Sequence, residues 1–131
     1  IDLDGRKIVP LPANHTVPAV GYQVDSGQGS LVFTGDTGPC PELWQYVNQI
    51  RNLRYLIIEC AFSNSEMRLA QASLHLCPSM LLDELTNLQR DAEVFITHLK
   101  PGQIELTMQE IEDCIGEFRP GMLQNNQLFE I

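Results

Sequence analysis

The spacing of apolar positions changes once along the chain, after Pro39. Before it, Arg6 to Leu11 and Val17 to Val24 carry β-branched and aromatic residues in short runs punctuated by Pro10, Pro12, Pro18 and Gly21, the pattern of strands. Asp4-Gly5 is a hairpin-turn pair between two short apolar runs, which predicts a brief opening strand. The block DSGQGS at 25 to 30 is a turn into Leu31 to Thr34. An antiparallel meander follows from these segments. Beyond Pro39, Leu43, Val47 and Ile50 recur at helical spacing, Pro41 suits a first turn, and Asn52 closes the element.

The second half alternates strands with helices. Tyr55 to Glu59 (YLIIE) is a continuous apolar run of the kind buried on both faces, and it ends in a carboxylate. Ser63 and Glu66 have the spacing of a capping box, which predicts a short helix through Met67, Leu69 and Ala70. Pro78 opens a further helix with Leu81, Leu85 and Leu88 on one side. Glu93 to Thr97 reads as another buried strand, and Ile104, Met108, Ile111, Ile115 and Phe118 mark the clearest amphipathic helix. Gln127 to Ile131 is expected to supply a last strand. The order β-β-β-α-β-α-α-β-α-β predicts an α/β fold, a mixed sheet with helices on one face.

Composition narrows the class. At 131 residues, 44% apolar and 19% charged, residues 1–131 are of a size and make-up for a single domain. A formal charge of −9 argues against broad phosphate-neutralising contact with nucleic acid. An anionic substrate must then be attracted locally. No apolar stretch is long enough to span a membrane and no basic-then-apolar leader opens the chain, so a cytoplasmic address is expected. Cys40, Cys60, Cys77 and Cys114 stand far apart without metal-finger spacing, and are read as buried free thiols. The opening strand is very short, and the expectation is that this is the later portion of a longer protein.

Polar residues gather at the ends of the predicted strands. Asp36 follows one, between Gly35 and Gly38 in GDTG; Glu59 ends a second; His98 follows a third; His15 closes the first. In layered α/β proteins ligand sites lie beyond the carboxyl ends of strands. Imidazole and carboxylate together suit a divalent metal such as Zn²⁺. Each residue also has a plainer reading. Asp36 could cap the following helix, His15 could bond a turn backbone, Glu59 could pair with Arg54 or Arg68, and His75, in SLHLCP, could be a loop residue without a task.

The stretches NHTVPAVGY, LVFTGDTGP, IIECAFSN, SLHLCP and FITHLKPG, in that order, resemble the C-terminal half of the metallo-β-lactamase superfamily. They are most similar to its class II cyclic-nucleotide phosphodiesterases, with the tRNA 3′-processing endonucleases as more distant relatives. The resemblance runs from about residue 6 to residue 112. It implies half of an αββα sandwich and a site for two divalent metal ions, Zn²⁺ by ligand chemistry. In that site His15 binds the first ion, Asp36 bridges both and His98 binds the second. Glu59 and His75 would form an acid-imidazole pair near the scissile phosphate, and Lys100 would help hold that phosphate.

Members of the superfamily also carry an HxHxDH block in their first half. The three histidines of this chain are all assigned above, so the block is absent from it. His15, Asp36 and His98 alone are too few for tight binding of two ions. The reading is therefore a dinuclear metal-dependent hydrolase of cyclic nucleotides whose activity needs a missing N-terminal segment or a second chain. Two alternatives accompany it. One is a catalytically inert half-domain that binds a partner or forms a homodimer; the other is a relative of the tRNA-processing enzymes.

Overall fold

In the computed structural model the backbone is described for residues 1–131; the side chains of Leu3 and Ile115 lie outside that description. The chain starts as a meander because its turns have the right residues. Strand β1 (Asp2–Leu3) returns on β2 (Arg6–Pro12) through Asp4 and Gly5, at φ 52° and 84°. Paired positive φ values are what a two-residue hairpin requires, and Asp-Gly supplies them at little cost. Strand β2 runs antiparallel to β3 (Val20–Asp25), and β3 antiparallel to β4 (Ser30–Phe33). In the β3–β4 turn the Asp25 carboxylate accepts the Gly27 N–H at 2.8 Å and the Asn52 amide at 3.0 Å. Those bonds hold its pKa below the ordinary aspartate value, the Gly27 contact most of all.

From β4 onward the direction of pairing switches. Helix α1 (Pro41–Val47) carries the chain to β5 (Leu53–Glu59). A 3₁₀ turn at Asn64–Glu66, then α2 (Met67–Ser73) and α3 (Pro78–Leu85), lead to β6 (Glu93–Thr97), and α4 (Ile104–Ile115) leads to β7 (Gly121–Met122). Strands β4 to β7 are parallel, and the seven strands lie in the sheet in chain order. A sheet that grows in one direction by right-handed crossovers puts every connecting helix on the same face. The core agrees: Val32, Leu56, Ile58, Val94 and Ile96 from the strands form one buried cluster with Leu43, Val47, Leu81, Leu85 and Ile111 from the helices.

Among the described residues no helix covers the opposite face of the sheet. Its residues Val20, Tyr22 and Phe33 are 45%, 42% and 39% exposed. Part of that face is covered where Phe129 packs edge-on against Tyr55 and Phe95, with ring centroids 5.0 and 5.1 Å away.

That packing corrects one expectation. Gln127 to Ile131 adds no strand, and the parallel edge is instead the two-residue β7. The tail gains more by placing Phe129 on two exposed rings than by pairing its backbone. The capping box also fails to form: Ser63 Oγ bonds Ser65 Oγ, and the Glu66 carboxylate turns to Lys100. Cys40, Cys60 and Cys77 are buried thiols as expected, whereas Cys114 is exposed on α4. Ile104 and Leu106 of α4 are more exposed than a packed face would leave them; the expected contribution of Ile115 falls outside the described side chains.

Candidate active site

The carboxyl end of β4 explains the two glycines that flank Asp36. Gly35 has φ +64°, and a Cβ there would stand 3.0 Å from the Val20 carbonyl oxygen. Gly38 lies against Leu74, whose Cα would be 3.1 Å from an added Cβ. The first glycine permits the turn and the second permits a close approach of the α2–α3 connection. Asp36 between them keeps a side chain 43% exposed. It caps no helix, since α1 starts after Cys40.

The loop carrying His15 is laced to this turn. Gly38 N–H donates to the Asn14 carbonyl at 2.8 Å, Asn14 N–H donates to Thr37 Oγ1 at 2.9 Å, and the Asn14 amide donates to Pro39 O at 2.8 Å. His15 Nδ1 is 3.1 Å from the Leu74 carbonyl oxygen. A carbonyl only accepts, so Nδ1 carries the hydrogen and Nε2 is left with a lone pair. Leu74 itself closes α2 in the left-handed conformation, φ 54°. A non-glycine residue held there costs about 1 kcal/mol or more, and it is what turns that carbonyl toward the histidine.

Glu59, at the end of β5, is fully buried. Its oxygens accept from the backbone N–H of Thr37 at 2.9 Å, Ala61 at 3.1 Å and Leu76 at 3.1 Å. His75 Nδ1 completes the set at 2.6 Å. It makes no pair with Arg54 or Arg68; a carboxylate with four donors needs no surface cation. Because Glu59 serves as acceptor, His75 Nδ1 is the protonated nitrogen and Nε2 points away from the acid. The imidazole, 13% exposed, has its ring 4.8 Å from that of His15 and stacked at 5.2 Å on that of His98.

The fold thus brings the predicted residues to one place. His15, Asp36 and His75 each offer a ligand atom, all within 4.8 Å of one another. His98 joins from the end of β6, its Nδ1 3.6 Å from Asp36 Oδ1 and its φ at 59°. The left-handed backbone at His98 ends the strand abruptly and leaves the ring beside Asp36. Lys100 stands at the margin, its Nζ 2.8 and 3.1 Å from the two oxygens of Glu66 and 5.5 Å from the centre of the Phe62 ring. His15 and Asp36 suit a divalent cation: an imidazole whose Nδ1 is hydrogen-bonded and whose Nε2 is left to ligate, and an accessible carboxylate.

Three residues of the site were not singled out from the sequence. Asn14 ties two loops together, Phe62 packs edge-on against His75 with centroids 5.7 Å apart, and Asn64 accepts the Ser79 N–H at 2.9 Å while its own N–H reaches Glu110 at 2.8 Å. Asn14 and Asn64 lie inside the blocks NHTVPAVGY and IIECAFSN, the one signal that could have marked them.

No family model matches the chain, and no curated protein matches it in sequence. Solved structures do match in fold. The metallo-beta-lactamase fold protein YhfI from Bacillus subtilis superposes on 99% of this chain and 52% of its own, with TM-score 0.78 and 18% identity. Unliganded yeast PDE1 covers 95% of this chain and 45% of its own, with TM-score 0.74 and 19% identity. Human tRNase Z, short form, covers 79% of this chain and 39% of its own, with TM-score 0.64 and 19% identity. The chain spans about half the length of the first two structures.

Proposed function

For a chain that has one half of the metallo-β-lactamase fold, the αββα sandwich, we propose the role of a metal-dependent phosphodiester hydrolase acting on 3′,5′-cyclic nucleotides. The observation that carries this is the Glu59–His75 pair set against the His15–Asp36 cluster. A proton-transfer couple stands beside residues able to hold cations. His15 Nε2, the Asp36 carboxylate and His98 would hold the divalent ions, with the remaining ligands supplied by a segment or chain outside these residues. Bound cations of this kind lower the pKa of water and neutralise charge developing on a phosphoryl group. Glu59 fixes the tautomer and direction of the His75 ring. As the imidazolium, with Nδ1–H held by Glu59, His75 carries a second hydrogen on Nε2 and would give it to the departing ribose oxygen, a step worth about 10²- to 10⁴-fold. Burial of Glu59 keeps water from competing for the Nδ1 hydrogen.

The resemblance of the blocks LVFTGDTGP and FITHLKPG to cyclic-nucleotide phosphodiesterases supports a cyclic substrate, and the acidic balance of the chain disfavours a long RNA. The direct test is metal content and cyclic-AMP hydrolysis by the zinc-loaded protein, meaning this chain together with the segment or partner that supplies the remaining ligands. Asp36→Ala is expected to lose about 10³-fold or more in kcat/KM, with metal content reduced and Tm unchanged, because Asp36 is half-exposed and its removal opens no core. Full activity in that variant would end the reading.

A second reading rests on the bare sheet face. Val20, Tyr22 and Phe33 present contiguous apolar surface, which supports a partner-binding half-domain or a homodimer. Light scattering with and without Zn²⁺ separates a monomer from a dimer that covers this face.

A further inference from the structure

Beside the proton-transfer pair lies a cavity of about 370 Å³, lined by Phe62, His75, His98, Leu99, Lys100 and Pro101. We propose that it is the subsite for the nucleoside of the cyclic substrate, with Phe62 as the wall that contacts the base. The inference rests on the phosphodiesterase reading for its geometry, because His75 borders both the metal cluster and this cavity. The ribose oxygen that takes the proton from Nε2 must lie next to that ring when its P–O bond breaks. In a cyclic nucleotide the same ribose carries the base and stays attached to phosphorus through its second ester oxygen, so the nucleoside occupies the adjoining space.

The walls have the chemistry of a nucleoside pocket. Phe62, Leu99 and Pro101 supply apolar surface for a planar base, and a volume at the lower end of the usual ligand range suits one nucleoside. Lys100 supplies the polar rim. Its ammonium has three N–H groups and the Glu66 carboxylate engages it through two oxygens, which fixes its position while leaving donor capacity for a ribose or base oxygen.

The wall is also held in place before any ligand arrives. Phe62 N–H donates to the Leu76 carbonyl at 3.3 Å. Two residues on, Asn64 is tied to Glu110 on α4 and to Ser79 on α3. A rigid wall loses little entropy when a ligand binds against it.

Two measurements decide the matter. Adenosine carries no phosphate and so reports the cavity without the metals; its binding to the metal-free protein is followed by ligand-observed NMR. Phe62→Leu keeps apolar volume and removes the aromatic face, which should weaken adenosine binding by about 10-fold, the size of one base–aromatic contact. In the zinc-loaded protein the same variant should raise KM for cyclic AMP about as much, with a far smaller drop in kcat. Phe62→Trp should restore both values. If the variant hydrolyses cyclic AMP with an unchanged KM and binds adenosine as the parent does, the subsite is wrong and the phosphodiesterase reading stands. If the parent binds adenosine in a Phe62-dependent way but the zinc-loaded protein, with the segment or partner that completes its ligands, hydrolyses no cyclic nucleotide, the cavity stands and the phosphodiesterase reading falls.

Discussion

Glu59 and Glu84 are both withdrawn from water, 0% and 8% exposed, yet they organise different parts of the molecule. Glu84, on α3, accepts the Trp44 indole N–H at 2.7 Å and the Cys40 backbone N–H at 3.1 Å. Both donors belong to α1 or the residue before it, so this carboxylate joins two helices within the covering layer. Glu59 draws its donors from separate loops: Thr37 after β4, Ala61 after β5, Leu76 before α3, and the imidazole of His75. One acid fastens packing. The other gathers the loops that carry the site, and one of its partners can exchange a proton.

The sharpest way to break this contrast is to delete each acid. Glu59→Ala strands three buried backbone N–H groups and one imidazole N–H, at about 1 to 3 kcal/mol for each group left unsatisfied. Partial rehydration of the gap reduces the sum, and a loss near 4 kcal/mol in urea unfolding is expected, together with loss of hydrolysis. Glu84→Ala strands two donors and should cost about 2 to 3 kcal/mol. Its kcat on the folded, zinc-loaded protein should match the parent, since none of its partners belongs to the site. A Glu84 variant that lost activity in proportion to stability would show that the two regions are mechanically one.

The difference between the two acids also marks what the sequence could reveal. Glu59 was legible as a candidate because it ends an uninterrupted apolar run, where a carboxylate stands out. His98 was legible for the same reason, and the meander followed from Asp4-Gly5 and DSGQGS. Glu84 was not legible. It falls in PSMLLDEL, next to Asp83, and nothing in helical spacing says which acid turns inward to an indole forty residues away. Distant partners misled the local rules elsewhere as well. Lys100 took the Glu66 side chain that a capping box needed, and the aromatic strip of Tyr55 and Phe95 took the tail that could have made a strand.

Removing the titratable partner alone should affect chemistry far more than folding. His75→Asn leaves Glu59 its three backbone donors, so stability should fall by only about 1 kcal/mol. With cyclic AMP, kcat should drop about 10²- to 10⁴-fold. With bis(p-nitrophenyl) phosphate the drop should shrink toward unity, because nitrophenolate leaves without a proton. Equal losses on both substrates would assign His75 to metal or phosphate binding in place of proton delivery.

The smallest effect reads the two regions separately through the thiols beside them. Burial raises the pKa of Cys60, with Glu59 adding to the effect, and burial likewise raises that of Cys40, where Glu84 contributes. A thiol held protonated and buried alkylates only when its surroundings open. In the folded protein, iodoacetamide at pH 8 should therefore modify Cys114 first, read by mass spectrometry as a single addition. Glu84→Ala loosens the α1–α3 contact, so Cys40 should label about 10-fold faster or more while Cys60 keeps the parent rate. Equal acceleration at both thiols would mean that opening is global, and that the layer secured by Glu84 and the loops gathered by Glu59 unfold as one unit.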